Sequence, residues 1–258
     1  MSKLFKHEFF KLFRNRTVHI VFLITVVLSA GIALLMVFMP ESISGGVSGS
    51  ETLSMAVGGN DVWLIMCAVI VSSIVVAEYH RGIIRNMVMS GHSRCKIYFA
   101  KYIVSLVTAI ALFTTVVLVT LPILSIANGW GDAVSVGTFL LMYLHILLQY
   151  AAVIAIILLI ADLTRSTGAA LGANIGLILV FTIIGSLGIT VEVDGEVVMA
   201  GNRVLEFIGD LYVGVLSTRA ATPDLTTAKI IQYILTAIGT LAIALFGGMF
   251  LFKKRDLK

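Results

Sequence analysis

The chain has 258 residues, a formal net charge of +4, 59% hydrophobic residues and 12% charged residues, with a mean hydropathy of +1.06. Soluble domains carry about 25% charged residues. This composition therefore leaves too little polar surface to wet a globule and excludes an ordinary water-soluble domain, and the bilayer is its natural solvent. The two cysteines, Cys67 in an apolar run and Cys95 in a basic loop, lack metal or CxxC spacing and read as free thiols.

Residues 1–17 form the first unit, basic and amphipathic. Phe5, Phe9, Leu12, Phe13 and Arg16 recur at helical spacing, and Lys3, Lys6, Lys11 and Arg14 supply a polar side. The pattern predicts a short helix lying in the membrane interface, with the phenylalanines among acyl chains and the lysines near anionic headgroups of membrane lipids. Residues 18–258 form the second unit, a transmembrane domain with six apolar runs at about 18–39, 61–77, 99–121, 138–161, 168–190 and 228–252. The first run is too long for the apolar core of a signal peptide, which spans about 7–15 residues. The fourth and fifth runs are joined only by Asp162–Thr167, which reads as a tight turn. The expected fold class is thus an all-α integral membrane protein of six transmembrane helices.

Orientation follows from basic residues flanking the runs. Fifteen of the eighteen Lys and Arg residues fall in the N-terminal tail, the loop 78–101, the turn at 162–167 and the C-terminal tail. Ten of the fourteen acids fall in the opposite loops. This asymmetry predicts both termini in the cytoplasm of a multi-pass cell-membrane protein, that of a bacterial plasma membrane. The first outer loop, 40–60, is rich in Gly and Ser and reads as mobile. The last, about 191–227, reads as structured. Alternation of apolar and acidic residues around Asp194-Gly195 is a hairpin signal. Val204, Leu205, Ile208, Leu211, Tyr212 and Val215 follow at helical spacing, and Thr222-Pro223-Asp224 resembles a cap leading into the last run.

The loop after the second run begins with Glu78 at the membrane mouth. A short amphipathic helix is expected next, with Ile83, Ile84, Met87 and Val88 apolar; Ser90-Gly91 breaks it, and a second short helix leads into the third run. Such an elbow can dock on a soluble partner, or it can be a topogenic loop resting on anionic lipid.

Three polar groups interrupt the spans. His145 and Gln149 lie one turn apart on one face of the fourth run, and Asn174 sits in the fifth. They read as helix–helix hydrogen bonding or as a polar patch on a transport path. Gly168, Gly172 and Gly176 form a small-residue stripe suited to close packing within or between protomers. No catalytic or metal site assembles: Gly46-Val47-Ser48-Gly49 has no base positioned beside its serine, His7-Glu8 lacks the second histidine of a zinc motif, and His80 and His92 have no partners at ligand spacing.

The elbow resembles that of the ABC-2 type permeases, the membrane subunits of type-2 ABC exporters. Glu78, Gly82, Ile83-Ile84, Arg85, Ser93-Arg94 and Lys101 match their pattern of acid, glycine, apolar pair, base and Ser-Arg; Ile83 replaces the usual threonine. Glu8-Phe9-Phe10-Lys11-Leu12-Phe13-Arg14 is similar to the family's connecting helix, and Phe252-Lys253-Lys254-Arg255-Asp256 to its ending. Size and topology resemble small bacterial permeases for antimicrobial or toxin peptides and lantibiotic immunity. The resemblance implies a permease that pairs with a second copy or a similar permease, as homodimer or heterodimer, and with two ABC ATPase subunits; nothing suggests nucleic acid. It implies coupling to the ATPase through Glu78, Arg81, Gly82, Ile83, Ile84, Arg85, Met87, Ser93 and Arg94. A Walker A loop needs a Gly-Lys step to cradle phosphates, and the chain contains none. ATP and Mg are therefore expected in the partner, with no cofactor bound here and no enzymatic role. The function expected is ATP-driven export of an amphipathic peptide or lipid-like substrate. The alternatives are a membrane-embedded protease or lipid-modifying enzyme, which would need a convergent nucleophile or metal set, and an ATP-independent carrier.

Overall fold

The computed structural model describes residues 2–39, 47–58, 60–91, 93–131, 134–164, 166–186, 190–193, 196–199 and 227–254. One two-stranded hairpin apart, its regular structure is helical. Helix α1 (Ser2–Arg14) and α2 (Arg16–Phe38) meet at Asn15, whose Oδ1 accepts the Thr17 amide at 2.9 Å and caps α2. A 3₁₀ turn (Gly49–Glu51) and α3 (Thr52–Gly58) precede α4 (Asn60–His80). Then come α5 (Ile83–Met89), α6 (Arg94–Asn128), α7 (Val136–Thr164), α8 (Thr167–Ser186) and α9 (Thr227–Lys254).

Five helices are long and apolar enough to cross a membrane: α2, α4, α6, α7 and α9. The sixth expected span is α8, which contains a shorter apolar stretch, Thr167–Ile183. At 1.5 Å per residue, the 35 residues of α6 reach about 50 Å, well beyond a hydrocarbon core of about 30 Å.

Helix α7 is central, packed against α4, α6, α8 and α9, while α6 also meets α1, α2, α3 and α9. Aromatic rings fill the α6–α7 seam. Phe113 and Tyr150 lie 4.8 Å apart between centroids, and the Tyr102 hydroxyl donates to the Ala151 carbonyl at 3.0 Å. Buried threonines satisfy their hydroxyls on the preceding turn: Thr25 on Val21 at 2.9 Å and Thr108 on Val104 at 2.7 Å. Such local bonding suits hydrocarbon, where no water completes a polar group. Outward-facing Leu23, Val27, Leu35 and Phe38 on α2, and Leu235, Ile243 and Phe246 on α9, are exposed. An apolar surface so extensive would aggregate in water and belongs against lipid or another membrane chain.

The helix ends sort into two groups. At one end α1, the close of α4, the start of α6, and the close of α7 and α9 come together; the Arg94 guanidinium, for instance, donates to the Lys253 carbonyl at 3.0 Å. At the other, the Gly49 amide donates to the Gly129 carbonyl at 3.0 Å, and Thr182 donates to Asp61 at 2.9 Å. The segments richest in Lys and Arg thus share one end.

Several expectations change. The second short helix before the third span does not exist separately: Arg94 begins α6 itself, with nothing between it and the apolar run to break a helix. Asp162 is not in a turn, because α7 continues to Thr164. The first loop is not wholly soft. From Ser48 it folds, because Ser48 and Glu51 form a reciprocal capping box: the Ser48 amide donates to Glu51 Oε2 at 2.9 Å. Trp63 then ties α3 to α4 by donating to the Ala56 carbonyl at 2.9 Å. The hairpin forms where Asp194-Gly195 predicts it, with Thr190–Val193 antiparallel to Glu196–Met199 and Val193 opposite Glu196. The helical pattern at 204–215 and the cap at 222–224 lie outside the described residues.

Helix α9 packs closely on α6 at Gly248. A Cβ there would fall 3.0 Å or less from three atoms of the buried Tyr98 side chain, whereas one at Gly247 meets nothing within 4 Å. Gly248→Ala should therefore destabilise the detergent-solubilised chain by about 1–3 kcal/mol, read as a lowered thermal-unfolding midpoint, with Gly247→Ala unchanged. Equal midpoints for the two variants would refute this close approach.

Candidate functional site

The site is built on the junction between α4 and α6. Helix α4 ends where the Gly82 amide donates to the Tyr79 carbonyl at 3.1 Å, and Gly82 takes φ 64°, ψ 14°. That left-handed conformation is open to glycine at little cost. It turns the chain sharply into α5, and Gly91, at φ 87°, follows at its far end. On α5, Ile84 and Met87 are buried, while Arg85, Asn86 and Met89 face outward, as does Arg81 before it. Ile83 and Val88 pack partly against the core. The result is a two-turn helix with an apolar underside anchored to the bundle and an outward side that presents one cation, one amide and one methionine. Ser93 caps α6 in an extended conformation, and Arg94 makes the contact to α9 described above.

Beneath α5 lies a buried charge cluster. Glu78 Oε1 accepts from Lys11 Nζ of α1 at 2.7 Å, and Glu78 Oε2 is ion-paired with Lys101 of α6. Lys11 also bonds Glu8 Oε1 at 2.9 Å. Glu8, Glu78 and Lys101 are 3%, 2% and 4% exposed, so water contributes little to their solvation. Two carboxylates and two ammonium groups balance, which is what makes burial tolerable. Next to them the Tyr79 hydroxyl bonds Asp162 of α7, which is 1% exposed. Polar contacts around α4 therefore reach α1, α6 and α7 within one stretch of two residues.

Glu8 and Lys11 of the N-terminal helix join Glu78 in one cluster, and Gly82, Ile83, Ile84, Arg85 and Met87 form the adjoining α5. The α1 face differs from the expected phenylalanine stripe. Leu4, Glu8 and Leu12, spaced by four, are its buried residues; Phe5 and Phe9 are partly packed, and Phe10 and Phe13 are exposed. Arg14 is exposed. The ionic bond to α4 selects the Glu8 face, since a carboxylate turned outward would leave Lys11 bonded to Glu78 alone.

The intramembrane polar groups do not converge. Gln149 Nε2 lies 3.1 Å from His145 Nε2 and donates to the Tyr233 carbonyl of α9 at 3.3 Å. Asn174 instead donates to Ser72 Oγ of α4 at 3.5 Å and to the Ile157 carbonyl at 3.4 Å. Each fastens a helix pair. Gly168, Gly172 and Gly176 are exposed, and an added Cβ meets nothing within 4 Å among the described residues. Among the described residues no side chain packs against this stripe. The opposite face of α8, Ala170, Asn174 and Ile178, is the buried one.

Lys101 and Asp162 belong to the site although neither stood among the predicted site residues. A lysine at a helix mouth usually reads as a topogenic charge; only the tertiary structure shows it turned inward. Among the described residues no group of three His, Cys, Asp or Glu side chains could hold a metal ion.

A helical bundle with apolar outer faces, its charges buried in a balanced cluster at one end, is a multi-pass membrane protein, and the amphipathic α5 above that cluster suits contact with something outside the bilayer. Residues 4–185, more than two thirds of the chain, match the family model for ABC-2 family transporter proteins. The chain belongs to that family and is a membrane permease component of an ABC transporter. No curated protein compared with it matches.

Removing one partner of a buried ion pair strands the other, at a cost of about 3–5 kcal/mol. Glu78→Gln should lower the thermal-unfolding midpoint markedly, and adding Lys101→Met to Glu78→Gln should recover part of the loss. A Glu78→Gln variant as stable as the parent would show that the cluster is not formed.

Proposed function

We propose that this chain is the membrane half of an ATP-driven exporter. In this reading both termini and α5 face the cytoplasm, as the concentration of Lys and Arg at one end of the bundle favours. Two permease chains, identical or similar, assemble with two ABC ATPase subunits, which bind ATP and Mg.

The observation that carries the proposal is the build of α5. Its underside is held by Ile84 and Met87, while Arg85, Asn86 and Met89 are left outward. The buried bonds of Glu78 and Tyr79 lie immediately before it. A push on α5 would thereby reach α1, α6 and α7 together. Arg81 and Arg94 flank this element, and Ser93 leads it into α6. The ATPase motion would enter here and separate or rock the two permease chains.

The cargo proposed is an amphipathic peptide, of the antimicrobial or toxin kind, or a lipid-like molecule. The polar groups His145, Gln149 and Asn174 are few and largely engaged with helix partners, so the spans provide little solvation for a small ion. An apolar cargo fits such walls better.

The test uses Arg85→Glu, a charge reversal on an exposed side chain, where the folding penalty should stay within about 0.5 kcal/mol. In proteoliposomes containing the permease and its ATPase, cargo-stimulated ATP hydrolysis and export should fall at least about tenfold, equivalent to about 1.4 kcal/mol of lost docking. Full coupling in Arg85→Glu, and in Arg85→Glu combined with Glu78→Gln, would remove α5 as the contact.

A further inference from the structure

A cavity of about 510 Å³ opens beside the charge cluster, between α1, the start of α2 and the end of α4. Lys11, Arg14, Arg16 and Arg81 line it, with Glu78 as the one carboxylate among the described residues. Glu78 and Lys11 are already committed to the balanced cluster. The three arginines are not: among the described residues no carboxylate lies within ion-pair distance of them. The cavity therefore carries an uncompensated positive charge from three guanidinium groups.

The backbone adds to this field. Arg16 opens α2, whose first turn contains no acid. A helix N-terminus carries partial positive charge, so a cation there is unfavourable unless an anion joins it. Asn15 and Thr17, which form the cap, also line the cavity. Guanidinium forks are a matched donor set for phosphate oxygens.

The surroundings decide the source of that phosphate. Phe10, on the cavity wall, is 60% exposed, and Phe13 beside it is 69% exposed. Along α2, Ile20 and Leu23 are 55% and 65% exposed. An apolar surface thus runs from the cavity along a membrane-crossing helix. A soluble anion would leave it bare, whereas a phospholipid would put its phosphate among the arginines and its acyl chains along α2. We infer that this cavity is a binding site for the phosphate headgroup of an anionic phospholipid. Lipid binding needs neither the ATPase nor the cargo; of the three arginines only Arg81 also flanks α5, and Arg14 and Arg16 lie outside that contact.

The full chain, reconstituted with equal phosphatidylglycerol and phosphatidylcholine and then extracted, tests this by native mass spectrometry of the bound lipid. The parent should retain phosphatidylglycerol at least about tenfold over phosphatidylcholine, since each basic group near a lipid surface contributes roughly fivefold. Arg14→Gln, Arg16→Gln and Arg81→Gln together should bring retention near equality, and the corresponding lysine triple should keep most of the preference. Thermal unfolding reports whether the glutamine triple is folded; if it is not, Arg16→Gln and Arg81→Gln singly should each weaken the preference severalfold. An unchanged preference in a folded triple, or in both single variants, overturns the inference. Displacement of the lipid by millimolar inorganic phosphate would identify a soluble-anion site and also overturn it. So would a triple that keeps its lipid and loses only its ATPase partner.

Discussion

Glu78 holds three helices at one point. Its two oxygens accept from lysines that lie 67 residues before it and 23 residues after it in the chain, and both Glu78 and Lys101 are buried. Taking an ion out of water costs several kcal/mol, while a close pair recovers about 4 kcal/mol at the effective dielectric of a protein. The cluster therefore adds little net stability. What it adds is selectivity, because any arrangement of α1, α4 and α6 that breaks a bond leaves a charge stranded. In a membrane this matters more than in water, since lipid is as apolar as the helix surfaces and does not by itself choose among packings.

From that constraint the rest of this end of the bundle follows. Helix α1 must present Glu8 and Lys11 inward, which leaves Phe10 and Phe13 outward beside the arginine-lined cavity. Helix α4 must end immediately after its charged turn, and Gly82 supplies the left-handed step that turns the chain into α5. Helix α6 brings Lys101 level with Glu78, and it is helical back to Arg94 without the break expected there. The Tyr79–Asp162 bond fastens the same turn of α4 to the central helix.

Much of this architecture was legible in the residues. Apolar runs report bilayer crossing because the requirement is one of length and composition, and neither depends on neighbours. Asp194-Gly195 reported a hairpin because its turn chemistry is local. The capping box of Ser48 and Glu51 was equally local, yet the glycines around it suggested a soft loop. Lys101 was harder. A lysine in a basic loop and a lysine buried against a glutamate look alike in sequence; only packing separates them. The same holds for Gly168, Gly172 and Gly176, where spacing shows that a face is narrow and says nothing of which way it turns. The phenylalanines of α1 misled because hydrophobicity is a poor guide when an ionic bond sets the rotation of a helix.

The proposed meeting point of this family member with an ATPase is α5, and the direct measurement is site-specific photocrosslinking in the native membrane. A photoreactive residue in place of Arg85 or Met89, both outward on α5, should give an adduct whose peptides include a Gly-x-x-x-x-Gly-Lys-Ser/Thr loop. The same residue in place of Leu141, exposed on α7, should give none. Adducts from position 141, or no ATPase adduct from positions 85 and 89, would contradict it.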